Sequence, residues 1–353
     1  MKPSSNNKSR AARGKNARTV VGFLLVLTLP LAFMACPGKD SKRIGNNTNT
    51  AATPAASPMS SPAFARVEID GDRAFEHVRK QVEFGPRPAG SAELAKTRDY
   101  ITGELKSYGL EVTMDEWQTK TPVGERRMAN IVAELPGESS DVIVLGSHYD
   151  TKLFKAFRFV GANDGASSTG TLMEMARALK ASGQKPKLTY RFVFFDGEEA
   201  FCEEWEECQN PDGPDNTYGS RRYVKQLKEK KELARVRAMI LLDMIGYKNL
   251  RLGRDEDMST RWLIDEVWQT ASDLGYGEQF VDEIEGVGGD DHEPFLKEGI
   301  KALDIIQLGS YDYWHKAEDT LDKISPVSLK IVGDVVLASL PRIEERLLRT
   351  PAQ

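Results

Sequence analysis

The chain holds only four histidines, and three of them, His148, His292 and His315, fall in short segments that also carry carboxylates or adjoin an aromatic wall. Ser147-His148-Tyr149-Asp150 is one, Asp290-Asp291-His292 another, and Trp314-His315 a third; along the chain between them come Gly161-Ala162-Asn163-Asp164, Glu198-Glu199 and Asp243. Imidazole and carboxylate are ligand types that suit zinc, and a catalytic zinc takes three protein ligands while keeping a position open. A single Asp after an apolar run is ordinarily a helix cap or a loop residue, and Asp196 reads that way. The same types recurring at successive strand ends do not, because unrelated caps have no reason to gather at one rim. The run Arg191–Phe201, RFVFFDGEEAF, puts the problem most sharply: a stretch apolar enough for a buried strand ends in three carboxylates around one glycine. Burying such groups without partners is costly, so a cation is expected there.

Those residues need a scaffold. Apolar residues recur at helical spacing from Asp72 to Phe84 and from Ala92 to Tyr108, where Gly109 supplies a stop. Leu110–Thr113, Met128–Leu135 and Val142–Gly146 read as strands. A helix over Gly165–Ser182 follows, then a strand over Thr189–Phe195, a helix over Tyr218–Lys231 and a strand over Val236–Ile245. A helix over Ser259–Leu274, a strand over Ala302–Gln307 and a closing helix over Pro326–Leu348 complete the order. Such alternation predicts an α/β fold with a mixed, mostly parallel central sheet sandwiched by helices. Ligands in these sheets sit beyond the carboxyl ends of the strands at a switch point, which is where the acidic segments would fall.

The whole chain of 353 residues carries a formal net charge of −5, with no long basic block outside the N-terminus, which excludes a nucleic-acid-binding surface. Residues 1–35 read as an export signal: Lys8, Arg10, Arg13, Lys15 and Arg18 precede an apolar run from Val20 to Met34 that is short for a membrane span. Ala35-Cys36 after that run resembles a bacterial lipoprotein cleavage site, although Phe33 stands where that pattern has leucine. The expectation is an exported protein of a bacterial envelope or periplasm, lipid-anchored at Cys36, or secreted after an ordinary cleavage. Residues 36–62, rich in Asn, Thr and Pro, read as a disordered tether, and 63–349 as the folded domain. Cys202 and Cys208 remain as either a disulfide or two free thiols.

In their order, His148-x-Asp150, Asp164, Glu198-Glu199, Asp243 and His315 resemble the zinc aminopeptidases of peptidase family M28 and their relatives, the glutaminyl-peptide cyclotransferases, over about residues 66 to 345. The resemblance implies the zinc-dependent exopeptidase-like fold, with Asp164, Glu199 and His315 as zinc ligands and Glu198 as general acid and base. It further implies Asp243 and Asp291 as hydrogen-bonding carboxylates, and Trp205, Trp314 and His148 around the substrate. The strings HYDTK at His148, FDGEEAF at Phe195, YGSR at Tyr218, LLDMIG at Leu241 and DDHEPFL at Asp290 are similar to the cyclotransferase branch. That branch implies one zinc ion and the conversion of N-terminal Gln of peptides or proteins to pyroglutamate with loss of ammonia. The alternative is an aminopeptidase with a second zinc on His148 and Asp243. Asn163-Asp164-Gly165 is closer to the aminopeptidase form, and Lys316 stands where both branches have Thr or Ser. The two cysteines also lie away from the disulfide of the animal cyclotransferases.

Overall fold

The structure is a computed structural model that describes residues 66–205, 207–210 and 213–349. The export signal expected over 1–35, Cys36, the tether over 36–62 and the first residues of the expected domain lie outside the described residues.

Asp70 starts α1 (Gly71–Phe84) by accepting from the N–H groups of Asp72 and Arg73, and Ser91 starts α2 (Ala92–Ser107) by accepting from Leu94. The order continues with β1 (Glu111–Thr121), β2 (Gly124–Leu135), β3 (Val142–His148), α3 (Ala166–Ser182), β4 (Thr189–Phe195) and the short pair β5 (Gln209–Asn210) and β6 (Gly213–Pro214). Then come α4 (Tyr218–Glu229), β7 (Val236–Asp243), β8 (Leu252–Arg254), α5 (Arg261–Asp273), β9 (Phe280–Ile284), α6 (Glu293–Lys297), β10 (Lys301–Ile306) and α7 (Pro326–Arg349).

Among the described residues, the main sheet runs β1-β2-β4-β3-β7-β10. The β1, β2 and β4 pairings are antiparallel, and those joining β4, β3, β7 and β10 are parallel. Alternate residues of the central strands feed two cores. Ile143, Leu145, Phe192, Phe194, Ile240 and Leu242 pack with α1, α2, α3, α5 and α7, whereas Val144, Val193, Phe195 and Leu241 pack with α4 and α6. Burial on both faces explains why residues 142–146 of β3 and 192–195 of β4 read as unbroken apolar runs.

The expected α/β fold with a mixed, mostly parallel sheet between helices is therefore what the chain forms. The differences lie at the margins. β1 runs on to Thr121 and β2 begins at Gly124, because this long hairpin alternates exposed and half-buried residues over polar sequence that no apolar run announces. β7 ends at Asp243, two residues short of the expected Ile245, since Met244 turns into left-handed backbone with φ 45°. β8, β9 and α6 are three to five residues long, too short to show a period.

Close approach of α1 to α3 depends on Gly170, where an added Cβ would lie 2.8 Å from the Ala74 carbonyl and 3.0 Å from Val78 Cγ2. Gly170→Val should destabilise the protein by about 1–3 kcal/mol through overpacking, read as a lower urea midpoint at unchanged slope.

Candidate active site

From β3 the chain crosses to β4 on one side, and the next parallel strands, β7 and β10, extend on the other, so the switch point lies between β3 and β7. His148 is the last residue of β3 and Asp243 the last of β7. There His148 Nε2 stands 3.1 Å from Asp243 Oδ1 and 3.4 Å from Asp164 Oδ1. The other oxygen of Asp164 is 3.5 Å from His315 Nε2, which is itself 3.3 Å from Glu199 Oε1. Two sets of metal-capable atoms result, Asp164–Glu199–His315 and His148–Asp164–Asp243, each gathered within 4.8 Å and sharing Asp164.

Local backbone explains how loops hold this density of charge. Asp164 precedes Gly165, whose φ of 84° suits glycine and where a Cβ would lie 2.7 Å from the Asp150 carbonyl. Asp150, fully buried, accepts from the N–H groups of Glu198 and Glu199 at 3.1 and 3.4 Å and so fixes the turn after β4. Asp319 accepts from the N–H groups of Asn163 and Asp164 at 2.8 and 3.1 Å and from the Tyr311 hydroxyl at 2.6 Å. Asn163 ties this loop to the end of β7: its side chain donates to the Met244 carbonyl and accepts from Gly246 N–H. His315 and Met244 adopt left-handed backbone, as does Thr217, whose N–H donates to the Glu198 carbonyl. Strained conformations of this kind persist where the surroundings over-determine them.

Burial pushes the Glu198 carboxyl well above its usual range, with His148 opposing and Glu199, Asp290 and Asp291 adding to the rise. Burial also pushes on Glu199, but His315, Lys152 and His148 outweigh it and hold that carboxyl down at about 2. Asp164 is pushed up to about 7, by burial first and then by the charge of Glu199. Burial opposes charge on His148, yet Asp243, Glu198, Asp150 and Asp164 raise it well above the usual histidine value. Arg87 is a further cation, fully buried and donating to the carbonyls of Tyr149, Val160 and Gly161. Burial lowers it to about 10 against the pull of Asp164, Asp319 and Asp150, so it stays charged at neutral pH.

The donors fit zinc. They are two carboxylates and an imidazole in one set, and Asp164 Oδ2 and His148 Nδ1 are buried without a hydrogen-bond partner among the described residues. A third set, Cys202, Cys208 and Asp215, offers no thiolate, because the two cysteines form a disulfide.

A cleft of about 770 Å³ opens over the site. Asp164, Glu198, Glu199, Asp243 and His315 line it together with Trp205 and Trp314, and the Trp314 ring stacks on the His315 ring at 4.3 Å. Of the acidic pair before His292, Asp290 lines the cleft, whereas Asp291, the residue singled out in the sequence, is fully buried, accepts from the Ser220 hydroxyl and does not line it. In a helix-entry turn, neighbouring side chains point apart, and sequence alone did not say which would face inward. Reading the sequence also missed Asp319, Arg87 and the apolar wall of Met244, Ile306 and Leu308. An Asp four residues after His315 was a weak signal for Asp319, and Arg87 gave none. Asp196 has the structural role expected of it, buried against Arg98, Tyr149 and the Ala129 N–H. Lys316 turns to the Asp312 carbonyl and leaves the site alone.

Residues 130–340 match peptidase family M28. A glutaminyl-peptide cyclotransferase of Drosophila melanogaster is 28% identical over 295 residues, covering 76% of this chain and 80% of that protein. The crystal structure of an Acidobacteriales bacterium glutaminyl cyclase is 36% identical with a TM-score of 0.72, covering 83% of this chain and 100% of that one. A Bacteroides thetaiotaomicron structure described as a leucine aminopeptidase precursor is 30% identical with a TM-score of 0.70, covering 78% and 97%.

Asp319 touches no metal-capable atom and acts by aiming the loop that bears Asp164. Asp319→Ala should therefore weaken zinc retention about 10–100-fold, measured as residual zinc after dialysis against graded chelator, while Lys316→Thr leaves it unchanged.

Proposed function

The chain belongs to peptidase family M28 and to its glutaminyl-peptide cyclotransferase branch, and we therefore propose that it is a zinc-dependent enzyme converting the N-terminal glutaminyl residue of peptides to pyroglutamate with release of ammonia. The observation that carries the chemistry is the gathering of Asp164, Glu199 and His315 ligand atoms within 4.8 Å of one another in a cleft that Glu198 also lines, with the Glu199 carboxyl held low by His315 against burial and that of Glu198 raised by burial. Environments that drive adjacent acids apart divide them between charge and proton transfer. Asp164, Glu199 and His315 are the ligands in this reading, and zinc held there supplies Lewis-acid polarisation of the side-chain carbonyl. Glu198 takes a proton from the attacking α-amine and returns it to the departing amide nitrogen. Asp243 and Asp290 hold that nitrogen by hydrogen bonds, with Asp291 fixed by Ser220 as support behind them. Trp205 and Trp314 wall the side chain of the substrate, and His148, bonded to Asp243, orients that carboxylate.

Export belongs to the same proposal. The basic and apolar residues of 1–35 support it, as does the Cys202–Cys208 disulfide, which suits an oxidising compartment, with Cys36 as the lipid anchor in a bacterial envelope. Among the described residues no helix is long and apolar enough to cross a membrane.

One observation favours a second reading. The two ligand sets share Asp164, and a two-zinc aminopeptidase would hold one ion on each set, with Glu198 as the base for water. Two measurements test these readings, the first the roles of the residues they share and the second the choice between them. Glu198→Gln should retain zinc and lose about 10²–10⁴ in kcat, whereas Glu199→Ala and His315→Ala should lose both metal and activity; near-normal turnover by Glu198→Gln would remove it as the proton carrier. His148→Ala should keep a single zinc and part of its release of ammonia from Gln-initiated peptides. Zinc falling from two ions to one, with hydrolysis of amino-acid anilides and no ammonia, would establish the aminopeptidase instead.

A further inference from the structure

Three residues past Glu199 the chain enters a ring closed by the disulfide between Cys202 and Cys208, and Trp205 lies inside it. The base of the ring is firmly held. Lys152, buried, donates to the carbonyls of Ala200 and Cys202 at 3.0 Å each, and Cys202 N–H donates to Asp215, which also accepts from the Tyr218 hydroxyl. Beyond Cys202 the described hydrogen bonds stay within the ring: Glu203 and Glu204 N–H donate to the Glu207 carboxylate, and Glu207 N–H to the Glu204 carbonyl. Trp205 nevertheless lines the cleft, its Cζ3 atom 3.9 Å from where a Cβ on Gly289, next to Asp290, would stand. Cys208 lines the same cleft, so the bridge is open to a reagent that enters it.

We propose that the Cys202–Cys208 bridge is a positioning element for substrate binding, which holds Trp205 as a wall of the cleft and releases it on reduction. The inference rests on the cleft being the substrate site. None of Asp164, Glu198, Glu199, Asp243 and His315 lies in the ring, so opening it leaves proton transfer and the ligands in place. Reduction by a phosphine breaks the S–S bond; phosphorus supplies the two electrons and takes oxygen from one water, whose two protons end on the two thiols. A phosphine is preferred to a dithiol because dithiols also draw off zinc.

The test measures KM and kcat separately on a Gln-initiated peptide for the full chain, oxidised and phosphine-reduced, for Cys202→Ser/Cys208→Ser, and for Trp205→Ala in both states. Reduction and the double Ser substitution should each raise KM about tenfold, the worth of a lost aromatic wall, with kcat within about twofold. Trp205→Ala should raise KM similarly and then ignore the reductant, because the wall the bridge holds is gone. KM unchanged on reduction, a loss confined to kcat, or an undiminished effect of reduction in Trp205→Ala would each overturn the proposal. Should the double Ser variant fail to fold, the reduced wild-type protein gives the answer alone. Oxidised enzyme that hydrolyses anilides and frees no ammonia would overturn the cyclotransferase reading instead. The same KM comparison, made on the anilide in the same cleft, would then decide the role of the bridge.

Discussion

Negative charge is concentrated and buried at one rim of the sheet, and the remainder of the site follows from keeping it there. Asp150, Asp164, Glu198, Glu199, Asp243, Asp290, Asp291 and Asp319 are all buried at this end of the fold. Each needs a cation, a hydrogen-bond donor or a proton. The chain supplies the cations Lys152 and Arg87, backbone N–H groups for Asp150 and Asp319, and the imidazoles of His148 and His315 beside Asp243 and Glu199, while burial raises the carboxyl of Glu198. A divalent ion among Asp164, Glu199 and His315, as proposed, would complete the balance by holding Asp164 ionised, against the rise that burial and Glu199 otherwise cause. Metal, loops and strand ends thus form one electrostatic unit, in which removing one partner exposes the others to the cost of burial.

What the sequence made legible follows the same physics. Segments buried on two faces, such as residues 142–146 of β3 and 192–195 of β4, are apolar runs, and they read plainly. His148, Asp164, Glu198, Glu199, Asp243 and His315 were legible because chemistry restricts their types and the sheet restricts where they fall. Residues that act through geometry alone were not. Arg87 is buried by carbonyls that only the folded loop brings together, and Asp319 looks like any loop aspartate until it meets the N–H groups of Asn163 and Asp164. The choice between Asp290 and Asp291 depended on the rotation of one short turn, which spacing does not encode.

The scaffold and the loops contribute differently. Strand ends supply His148 and Asp243, rigidly spaced by neighbouring parallel strands. Loops supply Asp164, Glu198, Glu199 and His315, and each is locked by a buried polar residue or by a backbone conformation that ordinary residues avoid. The two enzymatic readings share all of these residues, so one scaffold can serve either chemistry. The difference lies in whether His148 and Asp243 satisfy each other or an ion.

The hairpin of β1 and β2 has a meaning of its own. β10, at the far side of the sheet, is buried almost throughout, which leaves β1 as the exposed edge among the described residues. A row of unpaired backbone groups invites a strand from another molecule. Glu111, Glu116 and Lys120 stand exposed along that row, and a second copy laid against it would have to strip their water. The polar sequence that hid the continuation of β1 beyond Thr113 from a reading of apolar runs also opposes the growth of one molecule's sheet into the next. Met114, 46% exposed in the middle of it, is where the loss of a neighbouring charge would first let two copies adhere.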